Sequence, residues 1–185
     1  KWTAIVETVR RLRAGGRPVL VGTRSVAASE HLSALLTASG LTHQILNAHQ
    51  DQEEAEVIAR AGEGGRVTVA TNMAGRGTDI RLAPGVADLG GLHVLATERH
   101  DARRIDRQLF GRCGRQGDPG SYQVIESLED EIVHEFFKGH ALQLRRLFPQ
   151  RGRPLPAWLG VRLVSVAQRA AERHHGRARR ALLRT

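Results

Sequence analysis

Residues 67–80 read Val-Thr-Val-Ala-Thr-Asn-Met-Ala-Gly-Arg-Gly-Thr-Asp-Ile: a dense β-branched run, then a loop in which Gly75 and Gly77 bracket Arg76 and Asp79 follows. The apolar density of Val67–Thr71 marks a buried strand. The glycines allow a ligand to approach the backbone closely. Arg76 offers a forked cation for phosphate, and Asp79 an acceptor for a ribose hydroxyl or a partner for an arginine. A surface turn in which Arg76 and Asp79 pair with each other is the competing reading of the same spacing.

Working outward, four further runs share that density: residues 18–22, 43–47, 92–97 and 122–126. Helical patterns fall between them. From Ser25 to Ala38 the residues Ala28, Leu32, Leu35 and Leu36 share one face, and Gly40 stops the segment. Asp51, with Glu54 three residues on, predicts an N-cap for a helix running to about Ala61. Asp101 opens another helix, carrying Arg103, Arg104, Arg107 and Gln108. Alternating strands and helices with short links predict an α/β fold, a doubly wound parallel sheet with right-handed crossovers. Ligands of such sheets sit beyond the carboxyl ends of the strands, and 71–80 and 108–120 are the two segments to which that rule points.

The second segment reads Gln108-Leu-Phe-Gly-Arg-Cys-Gly-Arg-Gln-Gly-Asp-Pro-Gly120. Arg112 and Arg115, three apart at a helical end, are expected on one face. Two guanidinium groups so placed can stabilise charge building on a γ-phosphate, a role worth roughly 10³ to 10⁵ in rate. A solvated Gly/Arg loop is the alternative, although three spaced glycines are costly in a helix unless close approach requires them.

Composition narrows the choice. The 185 residues are 41% hydrophobic and 25% charged, with no run approaching a membrane span. The only lysines are Lys1 and Lys138, so no Gly-Lys-Ser/Thr phosphate loop exists in the chain. The acidic stretch 126–131 is therefore read as the first turn of a helix, favoured by its dipole, and not as a magnesium site. The nine histidines show no zinc spacing, and the single Cys113 excludes an internal disulfide and fits a reducing cytosol. Residues 1–138 hold 17 basic and 18 acidic side chains, whereas 139–185 hold 11 and one. Any attraction to polyanions is thus expected mainly from the tail, a solvated basic helix face being the competing reading. There, Val161, Val164, Ala167, Ala171, Ala178 and Leu182 form a thin apolar stripe, and Arg162, Arg169, Arg173, Arg177, Arg180 and Arg184 a basic face. Three segments are expected: a domain at 1–138, a Pro-containing linker at 139–156 and a basic helix at 157–185. Lys1 in place of an initiator Met predicts a piece of a longer protein.

The combination TNMAGRGTDI, ERHDARRIDRQLFGRCGRQGD and VAQRAAERHHGRARRALL resembles the SecA family, the ATP-driven motors of bacterial preprotein translocation. The likeness covers residues 15–138 and returns over 158–183. It implies the second RecA-like nucleotide-binding domain of a superfamily 2 motor, followed by the start of a scaffold helix. Asp79 and Arg76, with Gly75 and Gly77 beside them, match ATP-contacting positions of the fifth helicase motif. Arg112 and Arg115 match the arginine fingers of the sixth, which Gln108 leads. Phosphate loop and Mg²⁺ then belong to a first motor domain of the same protein, and this chain alone is expected to be inactive. Preprotein, a SecYEG-type membrane channel and anionic lipids are the implied partners. The implied location is cytoplasmic and peripheral on the bacterial inner membrane. The connection 80–90 is shorter than in many members, and the tail replaces a stretch usually mixed in charge. The alternative is the C-terminal motor domain of a superfamily 2 nucleic-acid helicase. The 4% aromatic content, poor material for stacking bases, argues against a nucleic-acid partner.

Overall fold

Every residue of β1 (Val19–Thr23), β3 (Val67–Thr71) and β4 (Leu92–Ala96) is buried. A strand covered on both faces belongs inside a parallel sheet. The computed structural model, which describes residues 1–46, 51–71, 78–136 and 156–182, places all three there. With β2 (Gln44–Leu46) and β5 (Gly120–Val124) at the edges, the order is β2-β3-β1-β4-β5 and every neighbouring pair is parallel. Val19 of the central strand lies opposite Val67 on one side and His93 on the other.

Side chains alternate between the two faces of a strand, and each face has its own core. Val19, Val21, Val67, Val69 and Leu95 meet Ile5 and Val9 of α1 (Trp2–Ala14) and Leu32 and Leu36 of α2 (Val26–Ala38). On the opposite face Leu20, Ala70, Val94 and Ala96 meet Ile58 of α3 (Asp51–Ala59) and Leu109 of α4 (Arg103–Phe110). The sheet is therefore doubly wound and of the RecA-like α/β type. The Ser25 hydroxyl caps α2, accepting from the Ala28 N–H at 3.2 Å, and Gly40 stops the chain beyond it at φ +68°.

Some boundaries differ from the expected ones. α3 is described from Asp51, and the cap expected there lies outside what is described, since residues 47–50 and the Asp51 side chain are not among the described ones. α4 opens at Arg103, two residues after Asp101. β5 starts at Gly120 and not Tyr122, because Leu92 pairs with Gly120 at the head of the ladder. Apolar density could not mark this start, since β5 is an edge strand with exposed positions. Asn47 lies outside the described residues.

The amino edges of β1, β4 and β5 are fastened by Arg17, which donates to Gly91 O at 2.8 Å, Gly90 O at 2.6 Å and Ser121 Oγ at 2.7 Å. Gly91 sits at φ +68°, and a Cβ there would lie 1.8 Å from Pro119 O. Two connections thus cross at a point where only glycine fits.

The described residues form two compact units: Lys1–Glu98 with Arg107–Ile125, and Arg99–Asp106 with Glu126–Thr185. The first is the sheet and its helices. In the second, Ile132 and Val133 of α5 (131–136) bury against Val164, Ala167 and Ala171 of α6 (Ala157–Leu182). Val161, expected in the same stripe, is 55% exposed. The side chains of Ala178, Arg180 and Leu182, together with Arg184 and residues 139–155 of the expected linker at 139–156, lie outside the described residues. Of the acidic stretch, Glu131 is helical, and the Asp130 carboxylate accepts from the Ser127 N–H at 2.7 Å.

This second unit has a polar centre. Asp106, 2% exposed, accepts three hydrogen bonds: from His100 N–H at 3.0 Å, His100 Nδ1 at 2.8 Å and Gln168 Nε2 at 2.6 Å. Gln168 Nε2 also donates to His100 O at 2.8 Å. Arg99 stands 3.7 Å from Asp106 and 2.7 Å from Glu126. Burial pushes Asp106 up, but the bonds from the His100 side chain and backbone and from Gln168 hold it below its ordinary range. No helix among the described residues is long and apolar enough to cross a membrane.

Candidate functional site

After the residues that follow β3, Ile80 lies on the α4 face of the sheet, 5% exposed within the core that holds Leu109. Beside Ile80, Asp79 receives two donors from a distant segment. Arg115 Nη1 reaches its Oδ1 at 3.1 Å and Gln116 Nε2 its Oδ2 at 2.9 Å. Arg112 Nη1 donates to Thr78 O at 3.2 Å, and Arg115 Nε to Gly111 O at 2.7 Å. The two segments singled out by their sequence are thus tied together by hydrogen bonds spanning 34 to 37 positions. Asp79 pairs with Arg115 here; Gly75, Arg76 and Gly77 lie outside the described residues.

Arg112 and Arg115 are not on a helical end as their spacing predicted. α4 stops at Phe110, and the next nine residues are turns, bends and irregular chain. Gly114 at φ +67°, Gln116 at +53° and Gly117 at +87° are left-handed, which no continuing right-handed helix permits. The turns project both guanidinium groups toward residues 78 and 79. Gln108 lies on the exposed side of α4.

The carboxyl-end rule also fails for this loop. A helix linking parallel strands runs back against them, so α4 delivers residues 111–119 to the amino end of β5. Cys113 Sγ accordingly lies 3.5 Å from Ser121 O, and a Cβ on Gly120 would stand 2.6 Å from Gly114 N. Burial raises the Cys113 pKa, which suits a packed filler and not a nucleophile. A small hollow beside the arginines is lined by Ile80, Leu82, Leu92 and Cys113.

Chemically, the cluster offers two cations, a carboxylate already engaged by one of them, and a side-chain amide. Arg115 and Asp79 are 39% and 37% exposed, so their pair is open to solvent and to exchange of partners. Among the described residues no group of three or more His, Cys, Asp or Glu is placed to hold a metal. The two guanidinium groups suit an anionic ligand. Sequence reasoning missed Asp106, His100 and Gln168, since no local spacing announces a contact made 62 or 68 positions away.

The chain matches the family described as the SecA P-loop domain over residues 1–86 and 83–147. It is 53% identical over 180 residues to protein translocase subunit SecA 2 of Nitrosospira multiformis, covering 97% of this chain and 27% of that one. Against protein translocase subunit SecA 3 of Magnetococcus marinus it is 55% identical over 98% of this chain and 28% of that protein. Against SecA of Oleidesulfovibrio alaskensis the figures are 49%, 99% and 21%. The chain therefore spans about a quarter of the length of these relatives. Among solved structures it is similar to domain 2 of the DEAD-box helicase Mss116p bound to an RNA duplex (TM-score 0.52, 19% identity, 66% of this chain and 48% of that one). It is also similar to the C-terminal part of the Fun30 ATPase domain (TM-score 0.55, 14% identity, 91% and 53%). At such identities these two structures speak for the fold alone.

Proposed function

This chain belongs to the SecA family, and we propose that it serves there as the second motor domain of an ATP-driven protein translocase. The observation that carries this reading is the cluster in which Arg112 and Arg115 meet Thr78 and Asp79. It gathers cations for a polyphosphate in a chain that has no phosphate loop of its own. ATP is the substrate, held between this domain and a first motor domain of the same protein, which supplies the phosphate loop and Mg²⁺. The ion polarises the phosphates when bound. On this chain, Arg112 and Arg115 stabilise negative charge on the terminal phosphate, and Gln108 stands at the head of the same motif. Asp79, Arg76, Gly75 and Gly77 contact the nucleotide in this reading.

Arg115 changes partner in this scheme. In the present structure its Nη1 is on Asp79; when the two motor domains close on ATP, the guanidinium turns to the phosphate and Asp79 is freed for a nucleotide hydroxyl. Closure is thereby coupled to hydrolysis, and the whole protein uses it to move preprotein through a SecYEG-type channel. It does so from the cytoplasmic face of an anionic membrane.

The test is reconstitution. Mixing the chain with the first motor domain of a SecA relative is expected to give ATP turnover, followed by phosphate release. Arg112→Ala should lower it about 10³-fold while circular dichroism and the unfolding midpoint stay put. Unchanged turnover in Arg112→Ala would remove the arginine from the reaction.

A further inference from the structure

Residues 115–118 reverse the chain within the arginine loop. The Asp118 N–H donates to Arg115 O at 2.8 Å, and both residues between them are left-handed, Gln116 at φ +53° and Gly117 at +87°. This is a turn of the I′ kind, whose two central places favour Asn, Asp and Gly, because a Cβ crowds the backbone at positive φ. Gly117 obeys that preference. Gln116 does not: it is the one non-glycine residue with positive φ among those described, and it is exposed, so no burial offsets the strain.

What the long side chain gains is reach. Its Nε2 donates to Asp79 Oδ2 at 2.9 Å, 37 positions back, while Arg115 Nη1 takes the other oxygen, Oδ1, at 3.1 Å. Asn, which the turn would favour, is one methylene too short to make that bond from the same backbone. The carboxylate is thus held by two neighbouring residues through separate oxygens, and the two holds differ in kind. The guanidinium is a cation that a polyphosphate attracts away. The amide is neutral and has no such competitor.

We propose that Gln116 is a positioning residue that keeps Asp79 in place when Arg115 leaves it, so that the vacated Oδ1 meets a ribose hydroxyl of the nucleotide. This deepens the function proposed above and rests on it. Gln116 touches no phosphate in this scheme. Its effect is selectivity: an anchored carboxylate distinguishes a ribonucleotide from one without hydroxyls, and an unanchored one does so poorly, since its rotamers must be frozen at the moment of binding.

Two experiments test it. Arg115→Ala imitates the departure of the arginine. In the 185-residue chain, the side-chain NH₂ resonances of Gln116 should keep in Arg115→Ala the positions and slowed solvent exchange they have in the parent, and lose both in Asp79→Ala. Loss in Arg115→Ala as well overturns the proposal, because Gln116 then cannot hold the carboxylate alone. In the reconstituted ATPase, the parent's KM should be about tenfold lower for ATP than for 2′,3′-dideoxy-ATP. Gln116→Asn keeps the turn and gives up the reach: its KM for ATP should rise about tenfold, to the dideoxy value, with kcat within twofold and the dideoxy KM unaltered. Its urea midpoint should equal or exceed the parent's, Asn being at ease in left-handed backbone. A lower midpoint, an unaltered KM for ATP, or equal rises for both nucleotides would overturn the role. A parent that does not tell ATP from dideoxy-ATP overturns the reading of Asp79 on which the proposal rests, and this role with it; the NH₂ resonances separate that failure from a failure of Gln116 to hold the carboxylate.

Discussion

His93, in the middle of the sheet's amino edge, is 7% exposed and its Nδ1 lies 2.8 Å from Ser121 Oγ. Burial, with Arg17 and Arg11 nearby, lowers its pKa from 6.5 to about 4. The unfolded chain therefore takes up this proton first as pH falls. The contribution to stability is fully present above pH 6.5, declines as pH drops toward 4, and levels off below that. About 3 kcal/mol is at stake. Urea unfolding at pH 7 and pH 4.5 should show it, and His93→Gln should flatten the difference; an equal slope in the variant would assign the pH dependence elsewhere. The residue scale also separates what a sequence can and cannot reveal. Asp79, Arg112 and Arg115 could be picked out because they stand among spaced glycines after apolar runs, and the structure brings them together. His93 read only as one position of a strand. Asp106 and Gln168 were invisible because each is meaningful only against its partner.

α4 carries the most consequences of any element. Gly22 in β1 admits it: a Cβ at that position would stand 2.4 Å from Leu109 Cδ2 and 3.1 Å from Cγ. Gly22→Ala should therefore lift the helix from the sheet and cost about 1–3 kcal/mol, read from the shift in the urea midpoint. An undiminished midpoint would mean that Leu109 swings aside freely. At the start of α2, Ser25→Ala should cost about 1 kcal/mol through loss of the cap, measured in the same way. Helix and strand identities were legible wherever burial was two-sided, as in β1, β3 and β4, or where a cap stood at the start, as for α2. At β5 the identity was legible but the start was not, because the edge position leaves Tyr122 60% exposed and stacked on Phe110 at 4.4 Å. The identities failed after Phe110, where left-handed residues end a helix that side-chain spacing alone would continue.

At the scale of the whole molecule, the sheet supplies a frame, and in the proposed function its arginine cluster contributes cations to a triphosphate without a phosphate loop of its own. The 185-residue chain by itself should show no ATP turnover above background in a phosphate-release assay. Turnover by the chain alone would require a second, undescribed route to bind the triphosphate. The doubly wound sheet itself was legible from the alternation of buried runs and amphipathic segments. The edge at which the arginine loop emerges was not, because it depends on the direction of α4, which no residue count records. That same parallel topology governs how the chain is made. β1, the central strand, pairs with residues 48 and 74 positions later, Val67 and His93 facing Val19, and no hairpin can form in the interval. At roughly 5–20 residues per second, the ribosome needs about 2–10 s to produce even the first of these neighbours. For that time a Val-Leu-Val segment with open backbone stands outside the exit tunnel. Biogenesis of this domain is therefore a race between translation and aggregation, which slower synthesis lengthens and a nascent-chain chaperone relieves.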